Sequence, residues 1–116
     1  MQYMLLIYAN EALMPAPKPG EPAQMNPAYV AYTQALHEAK VWRAGERLQP
    51  TANATTVRMV DGKSEVLNGP YAETKEQLGG YYLIDVPDLD AALSWAARCP
   101  GSGFGRVEVR PLWLMQ

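Results

Sequence analysis

The side chains able to do chemistry are few, and their places narrow the choices. The single histidine, His37, stands one residue past Leu36 in a run of helical spacing, about 100° round from the inward stripe. An imidazole there faces the flank or the solvent, and no second histidine exists for general-base work. The single cysteine, Cys99, follows a helix, whose negative end raises a thiol pKa and disfavours a nucleophile. No serine sits in a nucleophile elbow. What remains is carboxylates and cations. Glu46 and Arg47 are adjacent, between Gly45 and Leu48, just after a helix, where a connector can turn side chains into a cleft. Arg47 can hold a carboxylate or phosphate through two parallel N–H bonds, and Glu46 is a candidate acid–base group beside that clamp. As a plain exposed pair the two would be worth ~0–1 kcal/mol.

A second polar block comprises Glu73, Lys75, Glu76 and Gln77, bounded by Gly69-Pro70 before and Gly79-Gly80 after. Loops held between such punctuation often carry binding groups, and Glu73 is the second candidate acid–base residue. Tyr71 and Tyr81 can line an apolar pocket with a hydroxyl at its rim, or serve as core or interface aromatics. Metal binding is not expected. Asp85, Asp88 and Asp90 lack calcium-loop spacing, and one histidine with one cysteine falls short of a transition-metal set. Gly101, Gly103 and Gly105 follow a helix rather than precede one, so they form no phosphate loop. No cofactor is expected.

Composition bounds the rest. The chain has 116 residues, 48% hydrophobic and 19% charged, with a net charge of −2. That suits one globular domain and excludes a disordered chain. An acidic balance supplies no field for nucleic acid. The apolar run Met4 to Ala9 is far short of the roughly 20 residues that span a bilayer, and the start carries no basic export region. A lone cysteine fits a reducing cytoplasm.

Those candidate residues need elements to position them. Gln2 to Ala9 is apolar without alternation and reads as a strand buried on both faces. Asn10 to Gln24 holds four prolines and reads as a surface loop that only Leu13 and Met14 can anchor. Asn26-Pro27 starts a helix to about Val41, with Tyr29, Tyr32, Thr33, Leu36 and Ala39 or Lys40 at helical spacing on the inward face. Trp42 to Pro50 reads as a connector with room for a short strand. Ala54 to Val60 and Lys63 to Leu67 form a hairpin around Asp61-Gly62, a type I′ signal. Tyr71 to Leu78 is polar, and Gly79-Gly80 releases the strand Tyr81 to Val86. Asp88 caps a helix with Leu89, Ala92, Leu93 and Ala96 on one face, and Arg106 to Leu112 is the last strand.

This order predicts an α+β ferredoxin-like βαββαβ sandwich with an extra hairpin arm and two helices on one face of an antiparallel sheet. Strands apolar on both sides then require cover for the second face. A second copy of the same sheet supplies it, so a homodimer is expected.

The middle of the chain resembles a known family. Gly45 to Pro50 with Ala54 to Arg58 resembles the first signature of the YCII-related proteins of the DGPF type. The stretch from Asn68-Gly69-Pro70-Tyr71 through Gly79-Gly80-Tyr81-Tyr82 is similar to the naming stretch, with Asn68 for its Asp and Tyr71 for its Phe. The opening Tyr3 to Tyr8 and the closing Val107 to Pro111 match as well, so the resemblance covers nearly all of residues 1–116 outside the Pro-rich loop. It implies a dimeric α/β barrel. It also implies a His and Asp pair proposed for the wider family, which Asn68 and the off-signature His37 do not supply. The DGPF branch is often encoded beside extracytoplasmic-function sigma factors. The resulting expectation is a dimeric small-molecule-binding module with a cleft between sheet and helices. Arg47, Tyr71 and Tyr81 line it, Glu73, Lys75 and Gln77 contribute further contacts, and Arg47 would suit the ligand if it is an anion. Two other readings stand beside it: an acid–base enzyme using Glu46 or Glu73, and an accessory protein of a sigma factor.

Overall fold

The computed structural model describes residues 1–14 and 26–115. Six strands and two helices follow in the order β1 (Gln2–Ala9), α1 (Pro27–Glu38), β2 (Trp42–Arg47), β3 (Thr55–Val60), β4 (Lys63–Asn68), β5 (Gln77–Asp85), α2 (Leu89–Arg98) and β6 (Arg106–Pro111). Four strands form an antiparallel sheet in the order β2-β5-β1-β6, while β3 and β4 pair only with each other. The result is an α+β sandwich of ferredoxin-like arrangement with a hairpin arm inserted between β2 and β5.

Local chemistry accounts for the element ends. The Asn26 side chain accepts a hydrogen bond from the Ala28 N–H at 2.8 Å, and Pro27 takes the first helical turn, as the sequence predicts. Asp88 caps α2 by accepting from the Ala91 N–H at 2.9 Å. At the hairpin tip Asp61 and Gly62 have φ of 50° and 77°, both on the left-handed side that a type I′ turn requires.

Alternation along the strands divides the sheet into two faces. Tyr3, Leu5 and Ile7 of β1 and Tyr82 and Ile84 of β5 are buried beneath Tyr32 and Leu36 of α1 and Ala92 and Ala96 of α2. The Tyr32 hydroxyl donates to the Trp95 carbonyl at 2.7 Å and joins the two helices. Rings continue the layer: Tyr32 meets Tyr82 edge-on, Tyr82 meets Trp42, and His37 stacks on Trp42 at 4.5 Å. His37 is exposed, as its helical phase predicts.

Four expectations need correction. Trp42 to Arg47 is a full edge strand, because its residues complete the ladder that β5 offers on its outer side. The helix α1 stops at Glu38 rather than near Val41, since Lys40 turns to φ 60° and the Val41 N–H returns to the Leu36 carbonyl. β5 begins at Gln77, so Gly79 and Gly80 lie inside the strand. Gly80 is there for clearance: a Cβ would come within 2.8 Å of the Glu46 carbonyl on β2. Finally, Leu89 and Leu93 remain 48% and 47% exposed, and the small Ala92 and Ala96 make the close contact instead. The loop expected over residues 10–24 lies mostly outside the described residues. Its first part is tied down, and Glu11 rather than the exposed Leu13 and Met14 is the anchor.

Candidate functional site

The polar groups converge at the end of the sheet where β5 begins. The Glu11 carboxylate accepts from the Thr51 N–H at 2.9 Å and from the Thr51 hydroxyl at 2.7 Å. The Gln77 side-chain oxygen accepts from the Glu11 N–H at 2.9 Å, and its amide donates to the Thr74 carbonyl. Thr74 in turn donates its hydroxyl to the Glu76 carbonyl. Three segments far apart in sequence are thereby joined: the end of β1, the turn after β2, and the run into β5. Asn10 starts the short turn that carries Glu11 by accepting from the Ala12 N–H at 3.0 Å.

Beside this knot lies an open cleft of about 400 Å³. Thr51 and Ala52 form one wall, Gly69 and Pro70 another, and Ala72, Glu73, Thr74 and Gln77 close it. Gly69 adopts φ 107°, which a side chain would resist. Its N–H donates to the Ala54 carbonyl at 2.7 Å, and its carbonyl accepts from the Thr56 hydroxyl at 2.8 Å. This fixes the turn out of β4. Among the described residues of that lining Glu73 is the one ionisable group, and it is exposed.

The structure separates the other candidate residues. The space between sheet and helices, where a cleft was expected, is filled by the core. Tyr71 is 91% exposed and is not among the described residues that line this cleft. Tyr81 belongs to the opposite, helix-free face, paired with Leu6 on one side and Glu46 on the other. Arg47 pairs with Gly80 at the end of β2, in the register of the helix-covered face, so it shares no face with Glu46 or Tyr81. Lys75 is exposed just before β5. Glu73 and Gln77 are thus brought together in one cleft, and Arg47, Tyr71, Tyr81, Lys75 and Glu46 do not line it. Glu11, Thr51 and Thr74 were missed in the sequence. Asn10 ahead of Glu11 was the available sign, because a capping residue after a strand announces an ordered turn rather than a free loop.

Gly45 has a structural task next to these residues. A Cβ there would lie 2.8 Å from the Tyr82 ring and 2.9 Å from the Trp42 ring. We expect Gly45→Ala to cost about 1–3 kcal/mol by overpacking, seen as a lowered urea midpoint with unchanged slope. An unchanged midpoint would show that the two rings can part freely.

Titration in the core follows burial. Tyr29 and Tyr32 are held neutral well above the usual tyrosine range and Tyr82 is also raised, in each case chiefly by removal from water. Burial also pushes the Cys99 thiol up, with desolvation the first cause. Among the described residues no group of histidine, cysteine and carboxylate side chains could hold a metal ion, and no helix is long and apolar enough to cross a membrane.

A two-helix sandwich on a four-stranded antiparallel sheet, with a hairpin arm and a glycine-bounded polar stretch entering β5, defines the class. The YCII-related domain matches residues 1–116, and the chain belongs to that family. It is also 39% identical over 116 residues to an uncharacterised protein of Rhizobium meliloti (strain 1021), with 98% of this chain and 94% of that one covered.

Proposed function

We propose that the protein is a homodimeric small-molecule-binding module whose ligand occupies the cleft between Thr51, Gly69 and Gln77. The observation that carries this reading is convergence. Gly69, Pro70, Glu73, Thr74 and Gln77, all from the stretch most characteristic of the sequence, meet a turn from elsewhere in the chain around one open space. A hydrogen-bonded knot behind it holds the walls in place, which is what preorganised binding requires.

The lining also selects a ligand. Its ionised group is a carboxylate, joined by hydroxyls and an amide, so an amine or a hydroxyl-rich molecule fits better than the anion expected from Arg47. Thermal-shift titration with alkylamines, amino sugars and dicarboxylates tests this. Amines or amino sugars should stabilise the protein. Glu73→Gln should then weaken their binding by roughly tenfold or more, since hydrogen bonds to charged groups carry about 1.5–3 kcal/mol. Stabilisation by dicarboxylates alone, or an affinity indifferent to Glu73→Gln, would reject the assignment.

The dimer reading rests on what the helices leave open. Met4 and Leu6 of β1 and Tyr81 and Leu83 of β5 lie only partly buried on the helix-free face. Four strands about 4.8 Å apart and some six residues long offer roughly 400 Å² of plane. A stable interface takes about 800 Å² of accessible surface per partner. The hairpin, exposed at Val57, Met59, Val66 and Leu67, and the tail, with Trp113 and Leu114 about nine-tenths exposed, provide further apolar area. An isolated two-stranded hairpin is itself marginal in water, which favours a partner against it.

A further inference from the structure

We propose a second binding site, apart from the cleft at Glu73, where an α-amino acid with an aromatic or apolar side chain inserts between Glu76 and Arg106. A groove of about 370 Å³ opens there, lined by Tyr8, Glu76, Arg106, Val107 and Glu108. Its volume falls within the roughly 300–1,000 Å³ of small-molecule pockets. Strand pairing builds it. Arg106 stands opposite Tyr8 and Glu108 opposite Leu6, so their side chains share the helix-free side with Tyr8. Glu76 enters from the run into β5, where its carbonyl accepts from the Thr74 hydroxyl. Gly105 lets the chain enter β6 tight against β1, since a Cβ there would strike the Tyr8 carbonyl. The groove lies at the end of the sheet where β1 finishes, beside the apolar patch that the dimer reading covers.

Charge selects the ligand. The Arg106 Nε lies 3.3 Å from the Glu76 Oε1, and the two ends of this pair differ in shelter: the arginine side chain is 84% exposed and the glutamate 29%. Such a pair opens at little cost on the arginine's side. Among the described residues Arg106 has no other ion-pair or hydrogen-bond partner, so its fork can swing to a carboxylate. A bare carboxylate would draw Arg106 away and leave the sheltered Glu76 unpaired. A bare amine would replace Arg106 on Glu76 and leave the guanidinium with nothing in return. A zwitterion completes both contacts at once, its ammonium on Glu76 and its carboxylate on the Arg106 fork. Glu108, 3.8 Å from Arg110, stands by as a second acceptor for the ammonium. Tyr8 and Val107 supply apolar surface for the amino acid's side chain.

An NMR titration of the isotope-labelled full chain with L-phenylalanine tests this, beside 2-phenylethylamine and 3-phenylpropanoate, each of which lacks one of the two charges. Phenylalanine should shift the amides of Tyr8 and of Arg106 to Glu108, and it should bind at least tenfold tighter than either analogue. Arg106→Gln should remove its advantage over the amine, and Glu76→Gln its advantage over the acid. Glu73→Gln, in the other cleft, should leave its affinity unchanged. Circular dichroism verifies the fold of each variant, and the analogue series on the wild-type chain needs no substitution at all. Phenylalanine that fails to bind at millimolar concentration, or binds no tighter than the analogues, overturns the site. So does binding lost with Glu73→Gln and kept with Arg106→Gln, which would put the ligand in the other cleft. The two sites fail separately: amines indifferent to Glu73→Gln reject the first and leave this one standing.

Discussion

Raising the pH from about 8 to about 11 should destabilise the protein by several kcal/mol, and the loss should belong to the aromatic layer between helices and sheet. Tyr29, Tyr32, Tyr82 and Cys99 are all pushed up relative to the unfolded chain, chiefly by burial. The sign follows from proton binding. Above the unfolded values, about 8.5 for a thiol and about 10 for a phenol, the unfolded chain releases protons that the folded chain retains. Stability is full below that window and falls as the pH rises through it. Each group still neutral in the fold removes about 1.4 kcal/mol per pH unit above its unfolded value. Tyr32, buried and hydrogen-bonded to the Trp95 carbonyl, contributes its full share, while Tyr29 is half-buried and gives less. Against a total stability of ~5–15 kcal/mol, the shift is large. Urea midpoints at both pH values check it. Tyr32→Phe should flatten the alkaline limb while costing about 1 kcal/mol at neutral pH for the lost hydrogen bond. A midpoint constant across the window would mean that the tyrosines are hydrated in solution.

The largest single-residue effect expected is at Leu36. It is 0% exposed and belongs to the cluster that joins α1 to β1 and β5. Leu36→Ala removes buried methyl groups and leaves a cavity, at about 2–5 kcal/mol. For a chain of this size that lowers the melting temperature by roughly 10–20 °C. Leu93→Ala is the matched control, because Leu93 is 47% exposed although it has the same helical spacing in the sequence. Its cost should stay below about 1 kcal/mol. Comparable losses at the two positions would show that α2 packs through Leu93.

The contrast between those leucines shows how far the sequence could be read. In α1, Tyr32 and Leu36 are large side chains on one stripe, and their burial follows directly. In α2 the stripe of Leu89, Ala92, Leu93 and Ala96 is broad enough to allow two phases. The close approach of alanines to the sheet chose between them, and periodicity alone could not. The site was less legible still. Glu73 and Gln77 were within reach because Gly69-Pro70 and Gly79-Gly80 set them apart. Arg47 and Tyr81 were grouped by chemical type, while the alternation of paired strands sends them to opposite faces.

By itself the sequence determined what local physics decides. Asn26-Pro27 and Asp88 start the helices, Asp61-Gly62 turns the hairpin, and the apolar runs of β1 and β5 make them the central strands of an α+β sheet. Each depends on neighbours a few residues away, through capping bonds, allowed φ values or the hydrophobicity of a continuous run. Tertiary structure alone decided the rest. Glu11, Thr51 and Gln77 meet from positions tens of residues apart, and no spacing rule links them. Gly45 and Gly80 prove to be clearance for rings and a carbonyl on neighbouring strands. Strand register, a long-range property, set which side chains share a face. That moved Glu46 and Tyr81 away from the cleft and onto the face left open by the helices.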